Sequence, residues 1–451
     1  MIRMRVIVEL TKYILILLMG IYTYFAFNVY RYKSKRKQDI VYTFLSIIVF
    51  FVHFIGYATL YLQSGSIRLV FLYLGELIFF VLLLILYRIL YPKMSRILMR
   101  NMMILLAIGF IILTRLSFDK AFRQVIFVGF ASLLSLGIPL MIRKIDWFNK
   151  YGWLYGMIGV ALLIIVLVAG TTYYGATNWL EIGKLKFQPS EFVKIVYVIS
   201  IASLFQRNAE FKQVCLVTTL AAIHVLLLVF QKDLGGALIF FITYLFMLFS
   251  ATNKPAYLFT GLAGGSLASY IAYHLFYHVR VRVMAWQNPF KYIDNEGYQV
   301  SQSLFAIGTG GWFGMGLKQG MPTDIPVVDS DFIFSAISEE FGGLFALCLI
   351  LIYVNCFVAL INIAMKNKDP FYRLTTLGFT IMFGFQVFLC IGGVIKFIPS
   401  TGVTLPLISL GGSSITATIF MFMIVQGIYM RSHDDMEVIR KGNDRYDIEK
   451  A

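Results

Sequence analysis

Residues 327–361 read VVDSDFIFSAISEEFGGLFALCLILIYVNCFVALI. Asp329, Asp331, Glu339 and Glu340 crowd its first half, and from Phe341 to Ile361 no residue is charged. The hydrocarbon core of a bilayer is about 30 Å thick and takes roughly 20 apolar residues of helix. The stretch therefore reads as a membrane span, from about 333 to 361, with carboxylates gathered at its mouth. Ionisable groups at such a depth are costly unless they pair, face a cavity or do chemistry.

The rest of the chain repeats the pattern. Of 451 residues, 59% are hydrophobic and 14% charged, against about 25% charged in ordinary soluble domains; mean hydropathy is +0.79. Twelve further apolar stretches fall near 9–30, 41–63, 68–92, 97–114, 122–142, 152–173, 190–206, 212–230, 234–251, 255–279, 372–396 and 406–431. The expected fold class is an all-α polytopic membrane protein. Lys and Arg gather after alternate spans, at Arg31 to Lys37, Lys93 and Arg96, Arg143 to Lys150, Arg207, Lys254, and Lys366 and Lys368, and again in a tail over 432–451. Basic links face the cytoplasm, so the N-terminus is expected outside and the C-terminus inside. The net charge of +16 lies in these short clusters, and no basic surface domain exists to bind nucleic acid. Cys215, Cys348, Cys356 and Cys390 sit in apolar segments without ligand-like spacing, which suggests neither a disulfide framework nor a zinc site. The first apolar stretch ends in RYKSKRKQ, unlike a cleavable signal peptide.

One link is long. Between spans at 279 and 333 lie more than fifty residues, and links beyond about 12 to 15 residues are usually functional or disordered. Its segment YQVSQSLFAIGTGG is apolar but short, and reads as an interfacial or re-entrant helix. On the same predicted side stand Arg115, Arg123, Lys184, Lys186, Lys232, Arg280, Arg282, Lys318 and Lys396. Snorkelling explains any one of them; together they suit a diphosphate-linked lipid, whose phosphates need counter-charges. Asp331 lies at a predicted helix start, where the positive end of the helix favours its ionised form, although a plain cap by Asp331 or Ser330 would explain the same residues. Glu339 and Glu340 are adjacent and point about 100° apart, so one is expected to salt-bridge while the other lines a cleft. In FQPSEFVKI, Glu191 and Lys194 are three apart and can meet; in QKDLGG, Lys232 and Asp233 can cap the next span. PSTGVTLPLISLGGSS, residues 399–414, is a bend at membrane depth ending in Ser413 and Ser414, tolerable where it lines a cavity. His274 and His278 share a helical face without an HExxH motif and read as interfacial histidines. No glycine run matches a nucleotide fingerprint.

The ordered set FQPSEFVK, QKDLGG, NPF with GYQVSQSLFAIGTGGWFGMG, SDFIFSAISEEFG and PSTGVTLPLISLGGSS resembles the SEDS family, the FtsW/RodA/SpoVE proteins of shape, elongation, division and sporulation, over residues 98–431. The resemblance implies a ten-helix core, here about 94–431 with a large extracellular loop at 280–331, preceded by about three extra N-terminal transmembrane helices over 1–93 and followed by a cytoplasmic tail at 432–451. It implies a peptidoglycan glycosyltransferase of the bacterial cytoplasmic membrane, polymerising lipid II into glycan strands on the extracellular face with release of undecaprenyl pyrophosphate. Lipid II transport by a flippase is the alternative. Asp331 matches the family's catalytic acid. Arg115 and Lys396 match cationic positions, Glu191 and Lys194 a buried polar pair, Asp233 an acidic position, and Glu339 and Glu340 a glutamate pair; Arg280 and Ser413 join the set expected to bind or frame the substrate. A divalent cation, Mg2+ or Mn2+, could assist at Asp331 together with Asp329, and no nucleotide is expected. The implied partners are lipid II, the growing strand, a class B penicillin-binding protein acting as transpeptidase, and the machinery of elongation, division or sporulation, among which the motifs do not choose. The family's Pro-Glu-x-x-Thr-Asp approach is PVVDSD here, its Tyr before GGSS is Leu410, and its Pro in the Gln-Pro-Asp run is Lys232. Asp329 is thus an extra carboxylate beside the expected base, where like charge would raise its pKa.

Overall fold

Each of the thirteen apolar stretches forms helix in the computed structural model, which describes residues 2–449 apart from 146, 174, 184 and 208. The helices are α1 (Ile2–Asn28), α2 (Lys35–Ser64), α3 (Ile67–Leu90), α4 (Arg96–Leu116), α5 (Phe118–Ser135), α6 (Ile138–Lys144) and α7 (Gly152–Ala169). A small sheet of β1 (Thr171–Tyr173), β2 (Ala176–Ile182) and β3 (Leu185–Phe187) follows. The chain continues through α8 (Pro189–Phe205), α9 (Phe211–Phe230), α10 (Leu234–Thr252), α11 (Pro255–Leu275), α12 (Tyr277–Gln287), α13 (Tyr298–Gly310), α14 (Ile333–Phe341), α15 (Gly343–Lys366), α16 (Pro370–Val394) and α17 (Gly412–Glu449). Eleven of the helical stretches are long and apolar enough to cross a membrane; α8, with 17 residues, and the less apolar α11 occupy the other two expected spans. The protein is an all-α polytopic membrane fold with extra N-terminal helices.

Helix α4 lies at the centre, buried on every side from Ile97 to Thr114. The N-terminal helices contribute to this, because α2 packs on α4 together with α5 and α15. The approach is close, since a Cβ on Gly56 of α2 would fall 2.6 Å from a methyl of Ile111. Helices have no hydrophobic drive to associate within lipid, so close packing and polar contacts hold them. Here Tyr22 donates to Asn101 (3.0 Å), Asn101 to Asn355 (2.7 Å), and Asn355 to the carbonyl of Ala26 (3.1 Å), tying α1, α4 and α15 together. A second buried set links His53 to Glu76 (2.7 Å) and Tyr57 to both Glu76 (2.7 Å) and Thr114 (2.8 Å).

The structure departs from the sequence expectation in several places, among them the stretches expected over 122–142 and 255–279, which split into α5 and α6 and into α11 and α12. The span expected over 333–361 breaks at Gly342 (φ 87°) into α14 and α15. A broken helix strands backbone donors and acceptors, and the strap 311–316 answers them: Gly311 and Trp312 carbonyls accept from Gly343 and Leu344, while Met315 and Gly316 amides donate to Glu339 and Glu340 carbonyls (2.8 to 3.1 Å). The long link carries α12 and α13, the second being the expected short apolar helix. After α7 the chain turns into an antiparallel β1-β2-β3 sheet rather than continuing to 173, with Gly175 (φ 85°) and Gly183 (φ 64°) at its two turns. Helix α17 runs on from the last span through 432 to Glu449; residues 450 and 451 lie outside the described ones.

Candidate active site

Asp331 ends the loop before α14 and does not cap it: Phe332 holds the N-cap position and no side chain caps the helix. Asp331 is half-buried, and its carboxylate accepts from the Ser330 hydroxyl (3.0 Å). Behind it, the segment 329–331 is strapped to the bend at 399–411. The Asp329 carbonyl accepts from the Leu410 amide (2.8 Å), the Ser330 carbonyl from the Ser409 hydroxyl, and the Asp331 carbonyl from the Cys390 thiol (3.6 Å). The bend also brings Gly402 (φ 76°), where a Cβ would sit 3.4 Å from Asp331 Oδ2 and 3.7 Å from Arg282 Nη2. Carboxylate and guanidinium thus flank one point of backbone, and Arg282 is held there by donating to the Ser400 carbonyl (3.3 Å). Asp233 caps α10 by accepting from the Gly236 amide (2.8 Å), receives Asn178 (3.2 Å), and acts electrostatically on both Arg282 and Asp331.

Burial pushes the pKa of Asp331 up, with Asp329 and Asp233 adding to the rise; Ser330 and Arg282 oppose it without cancelling it. The same desolvation lowers that of Arg282, against the pull of Asp331 and Asp233. A carboxylate so held is a stronger base than a free aspartate.

A cavity of about 1180 Å³, lined by Arg282 of this pair, opens between α9, α10, α11, α12 and α16. Most of its wall is apolar, and Arg282, Ser400 and Thr401 stand at its polar edge. One side is α11, which buries none of its described residues.

The other expected residues are distributed as follows. Arg115 pairs with Glu340 (2.6 Å) and donates to the Gly320 carbonyl (2.9 Å), while Glu339 accepts from the Met321 amide (2.9 Å). Both glutamates are buried; they pin the chain that follows the strap, and neither lines the large cavity. Burial raises the Glu340 pKa to about 7, against the lowering effect of Arg115. Glu191 and Lys194 meet at 2.7 Å, and Lys194 passes on through Gln386 to the Thr404 carbonyl, supporting the bend from behind. Ser413 accepts from the Gln188 amide (3.0 Å) at the start of α8. Arg280 is exposed, and the arginine of α12 that reaches the Asp331 site is Arg282. Lys396 has a left-handed backbone (φ 61°), and its carbonyl accepts from Trp286 (3.1 Å). Lys184 lies outside the described residues.

Asp329 is paired with Lys120 (2.6 Å). A divalent ion shared by Asp329 and Asp331 would have to displace that ammonium and compete with Arg282, so these donors do not fit a jointly held metal. Among the described residues no three His, Cys, Asp or Glu converge. Sequence reasoning missed Lys120, Gln124, Gly402 and Ser409. Gln124, which donates to the Ser409 carbonyl (2.9 Å), adjoins Arg123, and PSTG and LISLGGSS hold the other two of the bend, but nothing local says what they touch.

The FtsW/RodA/SpoVE cell cycle protein model matches residues 95–434. Peptidoglycan glycosyltransferase RodA of Mycobacterium tuberculosis is 33% identical over 298 residues, covering 62% of this chain and 64% of the relative. The probable peptidoglycan glycosyltransferase FtsW of Neisseria gonorrhoeae is 32% identical over 352 residues, covering 67% and 75%. The chain thus spans 64% of the length of the mycobacterial relatives it matches. Among solved structures, a chain from a study of the structural coordination of polymerization and crosslinking by a peptidoglycan synthase complex aligns with TM-score 0.65 and 26% identity, over 75% of this chain and 98% of that one. The rod shape determining protein RodA of Thermus thermophilus aligns with TM-score 0.58 and 26% identity, over 75% and 98%.

Proposed function

The chain belongs to the FtsW/RodA/SpoVE family of polytopic membrane proteins, and we propose that it polymerises lipid II into glycan strands, with residues 94–431 as the catalytic core. The observation that carries this reading is the approach of Asp331 and Arg282 on either side of Gly402, with Arg282 standing at the polar edge of a large apolar cavity. An undecaprenyl chain needs the apolar wall, its diphosphate needs the cation, and the sugar then lies beside the carboxylate.

In the proposed reaction the acceptor hydroxyl oxygen attacks the anomeric carbon of the donor. Its proton passes to Asp331, the bond from that carbon to the diphosphate oxygen breaks, and undecaprenyl pyrophosphate leaves with the electron pair. The raised basicity of Asp331 suits proton removal, and Arg282 opposes the charge growing on the leaving group. No step requires a nucleotide or is routed through a metal. The reaction is assigned to the extracellular face of the bacterial cytoplasmic membrane, with the N-terminus outside and the C-terminus inside, as the Lys/Arg bias of the links supports. A class B penicillin-binding protein is the proposed partner, supported by the likeness to the peptidoglycan synthase complex.

The test is polymerisation of labelled lipid II by the purified chain, with and without its class B penicillin-binding protein, comparing wild type with Asp331→Asn. Polymer from wild type alone supports the assignment. The loosely packed α11 would also serve lateral passage of a lipid; if neither protein polymerises and both move lipid II across vesicles equally, transport replaces glycosyl transfer.

A further inference from the structure

A second polar cavity, of about 310 Å³, lies where the N-terminal helices meet the core. Ser64, Ser66 and Arg68 come from the α2–α3 junction, and Arg115, Asp119 and Lys318 from the core. Half of this wall precedes residue 95, outside the segment the family model matches.

Its electrostatics favour an anion. Three cations face one carboxylate, Asp119. Arg68 and Lys318 are exposed and, among the described residues, neither side chain has a hydrogen bond or ion pair. Arg115 commits Nε to Glu340 and one terminal nitrogen to Gly320, which leaves the other without a hydrogen bond among the described residues. Two long helices begin at the rim, α3 and α5, and neither has a side-chain cap at Ser66 or Ser117. Apart from the Leu69 amide, which donates to the Ser66 carbonyl, their first amides are unspent donors on the positive ends of the helices.

The cavity is also built, since Lys318 is held in a left-handed conformation (φ 64°) that costs a lysine energy, directly after Leu317, whose carbonyl accepts from Gln63 of α2 (2.6 Å). The N-terminal helices therefore fix the backbone that carries the third cation. Next to Asp119, Lys120 pairs with Asp329, two residues from Asp331, so the cavity adjoins the loop of the candidate active site.

We propose that this cavity binds a phosphate group, either the headgroup of an anionic phospholipid or free phosphate. Arg68 and Lys318 pair with its oxygens, and the uncapped starts of α3 and α5 donate to it. The site stands whether or not the chain polymerises lipid II.

The test melts the delipidated full-length chain in detergent across a titration of sodium phosphate at constant ionic strength. It is repeated in nanodiscs of phosphatidylcholine with and without phosphatidylglycerol. The expected result is a saturable rise in melting temperature for wild type in at least one setting. Arg68→Gln with Lys318→Gln weakens that response about tenfold, the loss of one or two charge-assisted bonds, and leaves the ligand-free melting temperature unchanged. A rise confined to phosphatidylglycerol identifies the lipid as the source, and one confined to inorganic phosphate a soluble source. No saturable rise in either setting overturns the proposal. So does an equal response in the double variant, or an equal weakening by Lys291→Gln, a surface change outside the cavity.

Discussion

In the proposed reaction Asp331 must be ionised to accept a proton, and burial with two neighbouring carboxylates raises its pKa. The acid limb of kcat/KM for polymerisation is therefore expected above the ordinary aspartate range. Arg282→Gln removes a positive charge that lowers that pKa, so the limb should move to still higher pH; a limb that stays in place would show that Arg282 does not act on Asp331. Glu340 gives a different pH dependence. Its folded pKa is raised from 4.5 to about 7, so the native chain holds its proton more tightly than the unfolded chain does. Stability from this group is then fully present below the unfolded value and is lost as pH rises toward about 7. Melting of wild type should fall across that window more steeply than melting of Glu340→Gln, and parallel curves would contradict the assignment. Asp331 and Asp233 were legible as carboxylates where apolar chain makes them expensive. The choice of Arg282 over Arg280 was not, because both flank one link and only the phase of α12 separates them.

The break at Gly342 works because the strap comes close. A Cβ on Gly314 (φ 77°) would lie 2.4 Å from the Glu340 carbonyl oxygen and 2.5 Å from the Phe341 carbonyl carbon. Both neighbours are backbone and cannot swing aside. Gly314→Ala should destabilise by about 2 kcal/mol or more, whereas Gly308→Ala, with open space around its Cβ, should be nearly neutral; equal melting of the two would refute the strap's role. At this scale, apolar length located the spans in the sequence. It could not reveal the break, since the residues that satisfy the interrupted backbone lie about thirty positions earlier and act through backbone groups that no side-chain pattern encodes. The β1-β2-β3 sheet escaped for a related reason: TTYYGATNWLEIGKLKF is short and borders a span, and its Thr, Tyr and Trp residues suit a membrane boundary as well as a strand.

The N-terminal trio was legible as helices but not as a partner. Its outer surface is as apolar as its inner one, and the polar residues that mark the join, Tyr22, His53, Tyr57 and Glu76, are spread over three helices. Beyond covering α4, the trio reaches the strap, where Lys12 donates to the Gly314 carbonyl (3.1 Å) and Gln63 to that of Leu317. Removing residues 1–93 should lower the melting temperature and speed amide exchange over 311–320 more than over α16, and equal exchange in both would show that the trio only adds bulk. The tie between α1 and α15 has a consequence for biogenesis. Asn355 lies 329 residues after the Ala26 carbonyl it holds. At bacterial synthesis rates of about 5–20 residues per second, tens of seconds separate the two. For that interval the first hairpin sits in the membrane with its eventual docking face unfilled, so insertase or lipid must shelter it until translation is nearly complete.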